Sequence, residues 1–174
     1  MFNYGQRRII PMTTETHDAL WLDATQQRAW RAYLVGTTLL MDRLDRDLRE
    51  QHNLSLPEYE IMVRLSEAPD RRLRMAVLAD SLSHSRSRVT HTVSRLERAG
   101  LVTRVACVSD GRGVEARLTE EGFAVLEQAA HTHVRGVREH LVELASDEDF
   151  MAVGRVFDAV TDGLVAAQPG LDIR

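Results

Sequence analysis

The chain has 174 residues, 44% apolar and 28% charged, with a formal net charge of −4 and one cysteine. That balance is ordinary for a soluble globular protein of one domain or one domain plus an extension, and a single Cys excludes an internal disulfide framework. No run of 18 apolar residues is present to cross a membrane, and the opening MFNYGQRRIIPMTTE lacks the continuous apolar stretch of a secretory signal, so a cytoplasmic location is expected.

Residues 1–22 carry no sustained periodicity and read as a mobile N-terminal extension, with a short helical turn at Thr16 to Leu22. Asp23 can cap a long helix from Ala24 to about Gln51. In it Trp30, Leu34, Thr37, Met41, Leu44 and Leu48 alternate steps of four and three, a heptad-like seam that asks for a partner helix. Ser55, Pro57 and Glu58 are an N-cap, a first-turn proline and a capping-box acid. They open a helix that buries Tyr59, Met62 and Leu65 and ends near Ala68-Pro69.

Asp70 to Arg74 is a polar link with a short strand at Arg72 to Arg74. Met75 to Leu82 reads as a short helix and Ser83-His84 as a turn. Ser85 to Ala99 is a second helix: the Ser85 hydroxyl can accept an otherwise unpaired N–H, and Gly100 can enter the left-handed conformation that ends it. Val89, Val93 and Leu96 form its buried face. A rotation of about 100° per residue puts Ser87, His91, Ser94 and Arg98 opposite, with Arg88, Thr90 and Arg95 on the flanks. Leu101 to Val108 then alternates as a strand, Ser109 to Gly113 is a turn with an Asp110-Gly111 hairpin signal, and Val114 to Leu118 returns.

Thr119 caps another long helix, with Glu120 and Glu121 at its positive end. Its expected apolar stripe is Phe123, Leu126, Ala130, Val134, Val137, Leu141 and Leu144. Ser146 caps the last helix, whose stripe is Phe150, Val153, Phe157, Val160 and Leu164 and which stops before Pro169-Gly170.

All 22 basic residues are Arg, the side chain best suited to bidentate phosphate contact. Residues 71–117 hold ten Arg against the four acids Asp80, Glu97, Asp110 and Glu115, a balance of +6; the remaining 12 Arg and 22 acids give −10. A basic module between acidic flanks is the electrostatic footprint of a nucleic-acid reader.

The fold class expected is mainly α with a small β component (α+β): a winged helix-turn-helix whose long N- and C-terminal helices form an intertwined homodimer. Three regions follow: the extension at 1–22, a helical dimerisation region at 23–53 and 119–167, and a winged helix-turn-helix DNA-binding lobe at 54–118.

The order of elements, with SLSHSRSRVTHTVSRLERAGLV followed by VSDGRGVEARLTEEG, resembles the MarR (multiple antibiotic resistance regulator) family over roughly residues 25–166. The join of Leu-Glu-x-x-Gly-Leu-Val, the wing Asp-x-Arg-Gly and Leu-Thr-x-x-Gly is its most specific part. The resemblance implies a dimeric transcription regulator on a pseudo-palindromic operator, with each recognition helix in a major groove and each wing in the flanking minor groove. It also implies that a small aromatic or phenolic effector releases many members. Such relatives line a ligand pocket near the first helix, which makes Trp30 and Tyr33 candidate pocket residues, although Trp30 also suits the heptad seam. Relatives that sense urate-like ligands carry a Trp on an extra N-terminal helix, which Trp21 echoes.

The residue chemistry agrees with that expectation. Arg88, Thr90, His91 and Arg95 are candidates for DNA contact from the helix. Ser85, Arg86 and Ser87 sit in its first turn, where backbone N–H groups favour phosphate. Arg112, between two glycines at the hairpin tip, can enter a narrow minor groove; Asp110 is expected to pair with an Arg and fix the wing. No cofactor and no metal site is expected. His131 and His133 stand at i and i+2 and point to different sides of a helix, and Cys107 lies away from where oxidation-sensing relatives carry their Cys, so it reads as structural.

The expected partners are double-stranded DNA, a second copy of the chain and the effector, with no membrane. Other readings are a ligand-independent activator or an architectural DNA-binding protein with little sequence preference. An enzyme is disfavoured, because no phosphate loop, Gly-x-Ser-x-Gly elbow or spaced ligand set is present.

Overall fold

A computed structural model describes residues 21–107 and 113–166. Helix α1 runs Ala24–His52, α2 Leu56–Glu67, α3 Met75–Ser81, α4 Arg86–Arg98, α5 Glu120–His140 and α6 Asp147–Ala166; strands β1 (Arg72–Arg74), β2 (Val102–Ala106) and β3 (Val114–Leu118) form one sheet. Two compact units meet in sequence at Thr37/Thr38, within α1.

Local chemistry sets the helix ends. The Asp23 carboxylate accepts the Thr25 and Gln26 backbone N–H groups, both at 2.8 Å, and starts α1. Asn53 ends it at φ 54°, while the Leu54 N–H reaches back to the Leu48 carbonyl. At the start of α2 the Glu58 carboxylate accepts the Ser55 N–H at 2.8 Å, and Glu67 is the last helical residue because Pro69 forces Ala68 into the extended region. Ser83, at φ 50°, makes the tight turn between α3 and α4. Gly100, at φ 76°, lets the chain leave α4, with the Leu101 N–H donating to the Leu96 carbonyl.

The sheet is antiparallel with order β1-β3-β2. Leu73 and Arg104 both stand opposite Ala116, which is fully buried. The core gathers Leu48, Ile61, Met62, Leu65, Leu78, Val89, Val93, Leu96 and Val102, the largest side chains with essentially no exposure. They come from five elements, α1, α2, α3, α4 and β2. Such burial, about 2 kcal/mol for each large aliphatic side chain, is what holds the small sheet against α4.

Three expectations need correction. Of the expected α5 stripe Leu126 is buried and Phe123 and Ala130 pack on the core, but Val134 and Leu144 are 54% and 80% exposed, and the rest of the buried face is Gly122, Ala129, Thr132 and Gly136. Close approach decides this: a Cβ at Gly122 would lie 2.1 Å from the Leu101 carbonyl oxygen, and one at Gly136 2.8 Å from Leu44 Cδ2. The small residues face inward because the helix lies nearly in contact with neighbouring chain there. Second, α5 stops at His140, as Leu141 leaves helical geometry at φ −138° and a 3-10 turn, Val142–Leu144, follows. Third, strand β2 is shorter than expected and ends at Ala106.

Two apolar stripes stand exposed. Only Leu44, Asp47 and Leu48 of α1 are buried, and Trp30, Leu34 and Met41 are open to solvent. No residue of α6 is buried. Among the described residues no helix is long and apolar enough to cross a membrane.

Candidate nucleic-acid interface

Helix α4 presents one face to the core and the other to solvent. Val89, Thr92, Val93 and Leu96 are buried, whereas Ser85, Arg86, Ser87, Arg88, Thr90, His91 and Arg95 are all exposed. Every residue of this helix named from the sequence as a DNA-contact candidate is therefore exposed. The Ser85 hydroxyl accepts the Arg88 N–H at 3.3 Å, so Ser85 is an N-cap as well as a surface group. Ser94 is half-buried instead, and its hydroxyl donates to the Thr90 carbonyl at 2.8 Å.

The helix is held from two sides by charge. From α2, the buried Glu58 carboxylate takes Arg95 Nε at 3.1 Å with one oxygen and the Ser55 N–H and hydroxyl with the other. Arg95 is thus partly engaged by its own protein, with 43% of its side chain exposed. From β2, Arg104 Nη2 donates to the Thr90 carbonyl at 2.9 Å and to the Ser94 hydroxyl, and its Nη1 lies 3.6 Å from Glu97. Near the first turn of α4, burial pushes the Glu60 carboxyl above its ordinary range, against the pull of Arg88 and Arg64. Burial and then the Arg88 charge hold His84 below its ordinary value, which keeps that imidazole neutral beside the cationic face.

Arg112 and Asp110 lie outside the described residues. The hairpin leading to them is in place: the Cys107 N–H donates to the Gly113 carbonyl at 2.8 Å, and Cys107 is buried with its thiol 3.3 Å from a Glu115 carboxylate oxygen. Trp30 and Tyr33 stack at 5.5 Å between ring centroids and are 49% and 38% exposed. His133 packs on Tyr59 at 4.7 Å, and its burial lowers its pKa; His131 is exposed. Among the described residues, no three His, Cys, Asp or Glu side chains converge to hold a metal ion.

A MarR family model matches residues 52–113, from the end of α1 through the helix pair and strand β2, ending just before β3. The HTH-type transcriptional regulator PecS of Dickeya dadantii is 30% identical over 121 residues, covering 66% of this chain and 72% of that protein. The chain belongs to the MarR family of transcriptional regulators. A MarR family regulator of Streptomyces coelicolor, solved in complex with DNA, superposes with a TM-score of 0.81 at 41% identity, covering 86% of this chain and 92% of that one. An HTH-type transcriptional repressor of Mycobacterium tuberculosis is 38% identical over 76 residues, covering 44% of this chain; the chain spans about half of that repressor's length, 53%.

In this MarR family chain the sequence reading missed Glu58 and Arg104 as supports of α4. The signal for Arg104 was its parity: it shares a strand face with buried Val102, so an Arg there points toward the core side of the sheet. Glu58 was visible as a capping acid, but its second partner lies 37 residues on and had no local trace.

Proposed function

We propose that this transcriptional regulator is a sequence-specific repressor that binds a pseudo-palindromic operator as a homodimer and is released by a small aromatic or phenolic effector. The observation that carries the reading is the outward face of α4, where Arg86, Arg88, Thr90, His91 and Arg95 stand exposed together while the opposite face is locked into the core. Arg, Ser, Thr and His are the side chains that reach base edges and phosphates in a major groove. In this reading Arg88, Thr90 and His91 face bases, and Ser85, Arg86 and Ser87 face phosphate. Arg112 enters the minor groove from a wing fixed by Asp110. The DNA complex of the Streptomyces coelicolor relative supports DNA as partner, and the repressor name of the mycobacterial relative supports the sign of regulation.

The exposed apolar stripe of α6 supports the homodimer, since a helix so apolar on one face is soluble only when that face is covered. Two copies related by a two-fold axis then place their recognition helices on half-sites about 10 bp apart. The stacked Trp30–Tyr33 pair is the apolar platform for a flat effector.

Selection of bound fragments from random-sequence DNA tests the central claim. A palindromic consensus with half-sites one helical turn apart is the expected outcome. Equal affinity for selected and scrambled fragments at fixed salt would instead make this an architectural DNA-binding protein. A thermal-shift screen of aromatic acids and phenols tests the effector, with stabilisation of the wild type and its loss in Trp30→Ala expected.

A further inference from the structure

Arg104 stands where the strand pattern calls for an apolar residue. It lies opposite fully buried Ala116 and on the same face as Val102, which is 1% exposed. Its guanidinium reaches across to the middle of α4. Nη2 bridges the Thr90 carbonyl and the Ser94 hydroxyl, and Nη1 approaches the Glu97 carboxylate. The Thr90 carbonyl also accepts the Ser94 hydroxyl, so strand and helix meet in one closed triangle. Nε is buried and has no acceptor among the described residues.

That last feature separates anchoring from simple stability. A buried N–H without an acceptor is costly, and a well-packed apolar side chain in place of a buried charged group is often neutral or stabilising. What an apolar residue could not do is fix the rotation and height of α4 against the wing hairpin, because apolar contact is non-directional while three guanidinium contacts define a geometry. Thr90 and His91, immediately at the clamp, are on the outward face. Arg104 also sets a positive charge beside Glu97, the one acid of α4 and a repulsive group near phosphate.

We infer that Arg104 is a positioning residue for sequence readout: it locks the recognition helix to the wing strand in the register that base recognition needs, and it masks Glu97. The inference rests on the DNA-binding reading above. It predicts a loss of discrimination between sequences rather than a loss of general attraction to DNA, since phosphate contacts carry the latter and base contacts the former.

The test uses the full chain and two DNA duplexes of equal length, one selected from a random pool by the wild type and one scrambled. Affinities for Arg104→Met, Arg104→Lys and Ser94→Ala are measured across a salt series, with thermal melts alongside. Arg104→Met is expected to lose about tenfold in affinity for the selected duplex, the scale of one charged hydrogen-bonded contact. Its affinity for the scrambled duplex and the salt slope should stay as in the wild type. Arg104→Lys should recover only part of the loss, because an ammonium cannot span all three acceptors. An equal loss on both duplexes, with the salt slope reduced by about one, would make Arg104 a direct phosphate contact and overturn the inference. Unchanged discrimination would overturn it too. If Arg104→Met fails to fold, Ser94→Ala decides: it keeps the charge but removes one acceptor, and lost discrimination supports the clamp while unaltered discrimination rejects it. A wild type that selects no duplex removes the DNA reading itself, an outcome distinct from all of these.

Discussion

Helices α4 and α6 are both amphipathic, yet they dispose of their apolar sides in opposite ways. In α4, Val89 and Val93 have no exposure and Leu96 has 1%. In α6 no residue is buried, and Val153, Phe157, Val160 and Leu164 are 45%, 39%, 46% and 64% exposed. Helix α4 finds its complement within its own chain, so its polar side is left outward and rigidly presented. Helix α6 has an equally regular stripe without that complement. The difference teaches how each helix is used by the fold: one displays a polar surface because its apolar side is packed in the core, and the other leaves its apolar side open, the side that the proposed homodimer would cover.

The sharpest way to break this contrast is to charge the stripe of α6. Val160→Asp should convert the proposed dimer to a monomer, because a carboxylate left unpaired in a covered apolar interface costs several kcal/mol. Operator affinity should fall about a hundredfold or more as bivalent binding is lost. Light scattering coupled to size exclusion checks the first effect and a gel shift the second; a variant that remains dimeric would show that α6 is covered differently. The same change on the inner side of α4 should act on folding instead. Truncating Leu96→Ala should cost about 2–5 kcal/mol, read from urea unfolding, since the site is fully packed.

A smaller effect sharpens the outward side of α4. Arg88→Ala should weaken operator binding by about tenfold with thermal stability unchanged, as expected for the loss of one base or phosphate contact. Unaltered affinity would remove Arg88 from the interface. On the buried face of α5, Gly136→Val should destabilise by about 1–3 kcal/mol, because the new Cβ meets Leu44 at 2.8 Å. An unchanged melting temperature would show that Leu44 can move aside.

The smallest effect concerns His133. Burial lowers its pKa in the folded state, so the unfolded chain binds the extra proton first. Its contribution is fully favourable above the ordinary imidazole value of about 6.5 and is lost as pH falls through that value toward the folded pKa. Melts between pH 7.5 and 5.5 should therefore show falling stability, and His133→Phe should flatten part of the slope. An identical slope in the variant would assign the effect to other groups, His84 among them.

Much of the reader lobe was legible because its signals are local. Ser85 and Gly100 bracket α4 by cap chemistry alone, Arg72 to Arg74 and Val114 to Leu118 match their strands, and the apolar spacing of Val89, Val93 and Leu96 picked the buried face correctly. The α5 stripe found Leu126 but missed the small residues beside it, for a physical reason. Apolar periodicity ranks residues by hydrophobicity, whereas the packing there is governed by how closely backbones approach, and glycine carries no hydrophobic signal.

By itself the sequence determined which segments become helix or strand, where the capped helix ends lie, and that a basic module sits between acidic ends, because these depend on neighbours within a few residues. Only the tertiary structure decided that Glu58 and Arg104 hold the recognition helix from two sides, and that glycines line the inner side of α5. Those outcomes join groups many residues apart, and the free energy that selects them exists only once the core has closed around them.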